Sequence, residues 1–252
     1  MSTFALSMTL IFIFITLFLS MWQKLRLEKD IVIATIRTAV QLTFIGFVLE
    51  FVFEQKNAGF VIGVIAIMVT VAAYNAASRG KDLKGLVWRV WFVIATTEAV
   101  TMGIMVVVGI IEPRPETVVP ISGMIVGNAM VVASLLINQL KESVRDSVPE
   151  IEVLLALGAS QKQSMHRVLK RAVKSSMIPT IDSMKTVGLV QLPGMMTGMI
   201  IAGTSPIEAV KYQILIMFAI TGSAALTSIL LGMLTYGMWL TRDLQVKDIL
   251  LK

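Results

Sequence analysis

The sequence predicts an all-α fold, a polytopic integral membrane helical bundle, and three observations carry that prediction. Hydrophobic residues make up 56% of the 252 residues and charged ones only 15%, where a soluble domain carries roughly 25% charged residues. The apolar residues fall in blocks near the ~20 residues that cross a ~30 Å hydrocarbon core. Basic residues collect in alternate connections between those blocks, the pattern that sets membrane orientation.

Seven spans are expected, at Phe4–Trp22, Ile31–Phe53, Phe60–Ala77, Val87–Ile111, Val118–Leu140, Lys185–Gly203 and Tyr212–Leu240. Before the first there is no basic segment and after it no small-residue cleavage site, so it reads as a retained span. The last is long enough to tilt or to extend beyond the bilayer. Together they make one transmembrane permease domain, residues 1–252.

One set of connections holds seventeen Lys and Arg residues: Lys24 to Lys29, Arg79 to Arg89, Lys141 to Lys174, and Arg242 to Lys252. The other set holds three, Lys56, Arg114 and Lys211. The N-terminus is therefore expected outside the cell (plasma) inner membrane and the C-terminus in the cytoplasm. The net charge of +6 is accounted for by this asymmetry and needs no nucleic-acid partner.

Several chemistries are excluded. There is no cysteine and one histidine, His166, so thiolate, disulfide and multi-histidine sites cannot form within the chain. No Gly-x-x-x-x-Gly-Lys-[Ser/Thr] loop is present, so any ATP hydrolysis belongs to a separate chain. Nor is there a Ser/His pair or a pair of intramembrane carboxylates for hydrolysis. The chain is expected to be no enzyme and to bind no cofactor.

The one long polar connection, residues 141–185, predicts two helices. Ser147 and Glu150 have capping-box spacing with Pro149 between them. Gly158 is placed to stop the helix that follows, and Ser160 with Gln163 has capping-box spacing again. On the second helix Met165, Val168, Leu169, Ala172 and Ser176 share a face, opposite Arg167, Lys170, Arg171 and Lys174. From the residues alone, Glu152-Val-Leu-Leu155-Ala-Leu-Gly158-Ala159-Ser160 fits two roles. One is a short rigid lever that docks in a partner's groove. The other is a helix lying on the bilayer surface. The Glu152 to Gly158 spacing matches the Glu-Ala-Ala…Gly coupling loop of ABC importers, with Val153 and Leu154 in place of the two alanines.

Polar residues inside the spans are the candidate pathway. Glu98, among Thr96, Thr97 and Thr101, and Arg37 sit where a charge costs about 3 kcal/mol or more. They fit either a helix-packing ion pair or a substrate counter-charge. Asn128 and Gln41 offer side-chain oxygens to a cation or to a neighbouring helix. Met195, Met196 and Met199 share one face near Pro193. They fit a soft-metal path or plain apolar filling. Glu98 and these three methionines are the candidate transient metal ligands. Gly194, Gly198 and Ala202 make a small-residue stripe suited to close packing. Asp182 and Lys185 stand one turn apart, spaced to pair.

Several blocks resemble the FetB family of iron-export ABC permeases. They are Ala34–Leu42, Pro120–Ala129, Glu152–Ser160, Ile178–Met184, Val187–Met199 and Ser205–Gln213, and they run from the second span into the seventh. The family is similar to plant aluminium-tolerance permeases as well. The resemblance implies a permease that pairs with itself and with two ABC ATPase subunits, which carry the ATP and Mg. It implies export of a metal cation, iron, with Glu152, Leu155, Gly158, Ala159 and Ser160 coupling to the ATPase. The alternative is a stand-alone channel or ion-coupled carrier using Glu98 and Arg37 as its charge relay.

Overall fold

The computed structural model describes residues 8–55, 57–80, 83–241, 243 and 245–247. The start of the first expected span, Phe4–Ser7, and four of the counted charges, Lys56, Lys81, Arg242 and Lys252, lie outside the described residues. The chain divides into two compact units, Met1–Asn57 and Ala58–Lys252.

The first unit contains α1 (Leu10–Trp22) and α2 (Glu28–Gln55). Ser20 fixes the turn between them. Its Oγ accepts the Leu27 N–H at 3.3 Å and donates to Glu28 Oε1 at 2.8 Å. Those bonds hold Lys24 and Arg26 at φ of 53° and 59°, a left-handed conformation that costs an L residue about 1 kcal/mol. Arg37 and Gln41 lie one turn apart on α2, both exposed within this unit.

The second unit contains α3 (Ala58–Ala77), α4 (Leu86–Val107), α5 (Pro115–Asp146), α6 (Val148–Ala156), α7 (Gln161–Thr186), α8 (Gly194–Ile201) and α9 (Pro206–Thr235). Among the described residues there is no β-strand, only two isolated bridges. The architecture is all-α, as expected. The helices beginning at Glu28, Ala58, Leu86, Pro115 and Pro206 are long and apolar enough to cross a membrane.

Small side chains let the central helices of this unit approach closely. Ala72, Ala73 and Ala76 of α3 are buried with Ala129 and Ala133 of α5. A Cβ at Gly80 would lie 2.6 Å from Leu86 Cδ2, and one at Gly232 would lie 2.6 Å from Leu169 Cδ1. Hydroxyl pairs join α9 to α4 and to α7. Thr227 Oγ1 donates to Thr97 Oγ1 at 3.1 Å, and Ser176 Oγ lies 2.8 Å from Ser228 Oγ.

The long polar connection forms its two helices. Gly158, at φ +87°, ends α6 as a Schellman motif. Its N–H donates to Leu155 O, and the Ala159 N–H donates to Leu154 O, both at 3.0 Å. The Ser160–Gln163 capping box forms in full at the start of α7. Met165, Val168, Ala172 and Ser176 are buried, while Arg167, Lys170, Arg171 and Lys174 are exposed. The Ser147–Glu150 box does not form, since Ser147 makes no side-chain cap. Glu150 instead reaches Arg167 at 3.0 Å, and the ion pair ties α6 to α7.

The sixth expected span departs most from expectation. α7 runs through Pro179 as far as Thr186, residues 187–193 are irregular, and α8 has only eight residues, about 12 Å. Gly188 at φ +85° turns the chain back, and its N–H donates to Gln191 O at 2.9 Å. Pro193 has no N–H to continue a helix. Gly194 and Gly198 would meet nothing within 4 Å if given a Cβ, so their stripe packs on no neighbour among the described residues.

Candidate functional site

The break between α7 and α8 opens onto a cavity of about 340 Å³. α5 contributes Met124, Asn128, Val131, Val132 and Leu135, and α7 contributes Ser176, Pro179, Thr180 and Ser183. The break contributes Val187, Gln191 and Pro193, α8 Gly194 and Met195, and α9 Gln213, Ile216, Met217 and Ile220. Asn128 is thirteen residues from the start of α5, about 20 Å along its axis, and Gln213 is about 10 Å into α9. Asn128 thus falls midway in the fifth expected span, and Gln213 falls at the start of the seventh. Within a membrane, irregular backbone is tolerated where it is buried in protein or lines a water-filled space. Broken helices at mid-membrane are where transporters place their substrates.

Three amides, Asn128, Gln191 and Gln213, stand on its wall. Asn128 Nδ2 donates to Ile220 O at 3.3 Å, which leaves its Oδ1 and second N–H for another partner. Gln213 is 7% exposed, and its Oε1 has no hydrogen-bond partner among the described residues. A buried acceptor left unmade costs about 1–3 kcal/mol, and the cavity beside it is where a donor can arrive.

The residues singled out in the sequence divide as follows. Asn128 and Met195 meet in the cavity; Met196 and Met199, on the same short helix, do not line it. Glu98 on α4 is 4% exposed and also does not line it. Ser122 of α5 neighbours its carboxyl, yet neither Glu98 oxygen nor Ser122 Oγ completes a hydrogen bond of good geometry. Arg37 and Gln41 belong to the other compact unit. Lys185 reaches Asp182 at 3.2 Å, with both side chains exposed.

Met124, Thr180, Ser183, Met217 and Gln213 were not foreseen as site residues. Thr180 and Ser183 fall inside the Ile178–Met184 block, and Gln213 closes the Ser205–Gln213 block. The signal lay in those blocks; periodicity alone does not separate such residues from ordinary helix polar positions.

A second candidate surface is α6. Ile151 is its one buried residue, and Leu155 packs against the same core. Glu152 is exposed, as are Val153 at 59% and Leu157 at 80%. An apolar edge beside an acidic residue is thus presented on a helix braced from behind.

Comparison with known proteins places these features in context. The profile of the family described as UPF0014, an uncharacterised protein family, matches residues 3–239. The UPF0014 membrane protein YjkA of Bacillus subtilis is 48% identical, over 98% of this chain and 99% of its own. Protein ALUMINUM SENSITIVE 3 of Arabidopsis thaliana is 37% identical, over 94% and 87% respectively. The probable iron export permease protein FetB of Escherichia coli is also 37% identical, over 92% and 90%. No solved structure matches the chain.

Proposed function

We propose, from the premise that the chain belongs to the UPF0014 family of membrane proteins, that it is the membrane-spanning permease of an ABC transporter. Two copies pair with two ATPase subunits and export a metal cation, iron in the first instance. The observation that carries this reading is the cavity at the break between α7 and α8, with Asn128, Gln191 and Gln213 on its wall. The permease named as an iron exporter, 37% identical over most of both chains, supports the substrate.

The exposed edge of α6 is the element we assign to ATPase docking, through Glu152, Leu157 and the Gly158–Ser160 turn. Helix-in-groove docking requires an apolar face presented on a rigid support. The Glu150–Arg167 pair and buried Ile151 supply that support. The excess of Lys and Arg in one set of connections supports a cytoplasmic C-terminus in the plasma membrane.

The test is iron uptake by inside-out vesicles containing this chain and its co-expressed ATPase. Uptake that requires ATP hydrolysis is the expected result. Uptake driven by an ion gradient without ATP would establish the carrier alternative instead.

A further inference from the structure

We propose that the cavity takes its cation with a ligand shell intact. The shell's water or other donor ligands hydrogen-bond to Gln213 and the neighbouring amides, and the ion is not stripped and held by protein ligands. The inference rests on the metal-cation reading above and adds the form in which the ion is recognised.

The first observation is Gln213. It is more than nine-tenths buried, lines the cavity, and has an Oε1 without a partner among the described residues. An amide oxygen accepts a hydrogen bond from a ligand that donates or touches a bare cation directly, and the rest of the wall decides between the two. Asn128, half-buried on the same wall, gives one N–H to the Ile220 carbonyl and adds a second amide oxygen that accepts.

The second observation is what the wall is made of. No Asp, Glu, His or Cys is among the residues lining the cavity. Among the described residues no group of three or more such side chains is placed to hold a metal ion. A stripped divalent ion would lose its hydration with no opposite charge to replace it. The cost of moving an ion from water falls as its effective radius grows, so a retained shell lowers the barrier that an uncharged wall imposes. Hard divalent ions are reluctant to shed water in any case.

The third observation is size. A single water needs about 10–15 Å³ on this measure, and the cavity measures about 340 Å³. An ion with a shell of several waters therefore has room in it. The thioethers of Met124, Met195 and Met217 define the opposing account, a soft ion coordinated directly by sulfur.

An exchange-inert complex separates the two. Chloropentaamminecobalt(III) is a dication whose ammonia ligands donate hydrogen bonds and do not exchange on the timescale of a titration. It is titrated into the purified full-length protein in lipid nanodiscs, alongside Fe²⁺ kept anaerobic. The proposal predicts saturable binding of the cobalt complex and competition with Fe²⁺. It also predicts at least tenfold weaker binding of the complex to Gln213→Leu, with binding kept in Gln213→Glu, which retains an acceptor at that place. Fe²⁺ binding with neither binding nor competition by the cobalt complex overturns the proposal and leaves the cation reading standing. Binding of neither overturns both. Undiminished binding of the complex to a folded Gln213→Leu places its site elsewhere and also overturns the proposal. If Gln213→Leu does not fold, competition on the unaltered protein decides.

Discussion

Asn128 Nδ2 donates to the main-chain oxygen of Ile220 at 3.3 Å, joining the middle of α5 to the middle of α9 at the wall of the cavity. An interhelical hydrogen bond in a membrane protein contributes about 0.6 kcal/mol on average. Asn128→Ala is therefore expected to lower the thermal midpoint by no more than a few degrees. If the side chain faces substrate, export falls at least tenfold in the same variant. Thermal scanning of the purified protein and efflux from cells separate the two effects.

Gly80→Ala tests the packing at the end of α3. Its new Cβ would meet Leu86 Cδ2 at 2.6 Å and Ile137 Cγ2 at 3.1 Å. Both neighbours are buried, at 2% and 1% exposure, and have little room to yield. Overpacking of this kind costs about 1–3 kcal/mol. Shortening the neighbour, in Gly80→Ala with Leu86→Val, is expected to recover part of the loss in thermal midpoint.

These relationships were unequally legible in the sequence. The Ser160 cap and the Gly158 stop are local, written within four residues, and both formed as read. The Ser147–Glu150 box has the same local signature, but Arg167, seventeen residues on, takes the Glu150 carboxylate. Pro193 marked a disturbance in the sixth span. The reversal at Gly188 was hidden, because an isolated glycine in an apolar run does not announce a positive φ. Gln213 reads as one polar residue near a helix start. Its burial follows from α9 packing against α5 and α7, and that is a tertiary fact. Asn128 was legible as a polar residue in mid-span, and of its two readings the bond to a neighbouring helix is the one that formed, at Ile220, beside its place on the cavity wall.

The α6 edge gives a third prediction. Glu152→Arg reverses an exposed charge, and Leu157→Asp removes an apolar contact that is 80% exposed. Neither disturbs the buried Ile151, so both variants are expected to insert normally. Gly158→Pro forces φ near −65° onto a residue held at +87° and is expected to unseat the turn. ATPase co-purification should fall at least fivefold in all three. Unchanged co-purification and transport would remove α6 from the docking role.

Glu98→Gln preserves shape and removes the charge of a carboxyl that is 4% exposed and has no partnered oxygen among the described residues. As a substrate-handling group, Glu98 is expected to leave protein abundance unchanged and reduce iron efflux strongly in that variant. Normal efflux, or failure to accumulate, would make the residue structural. The double variant with Arg37→Gln decides whether the two residues act together. Mutual partners give a double variant less impaired than the sum of the singles, and independent residues give additive effects.

The most direct test of the central claim, that the cavity is the transport path, uses the absence of cysteine from the chain. Single substitutions Thr180→Cys, Gln191→Cys and Gln213→Cys place a thiol on the cavity wall. Ile214→Cys places one beside Gln213 on α9 at a position 49% exposed and outside the cavity. A charged thiol reagent requires water to reach and ionise its target, so it modifies positions on a hydrated path and spares those facing lipid. The account predicts modification at all three cavity positions during active transport, loss of iron efflux on modification, and no reaction at Ile214→Cys. Unmodified thiols at Thr180, Gln191 and Gln213 in a protein that still exports iron would contradict it.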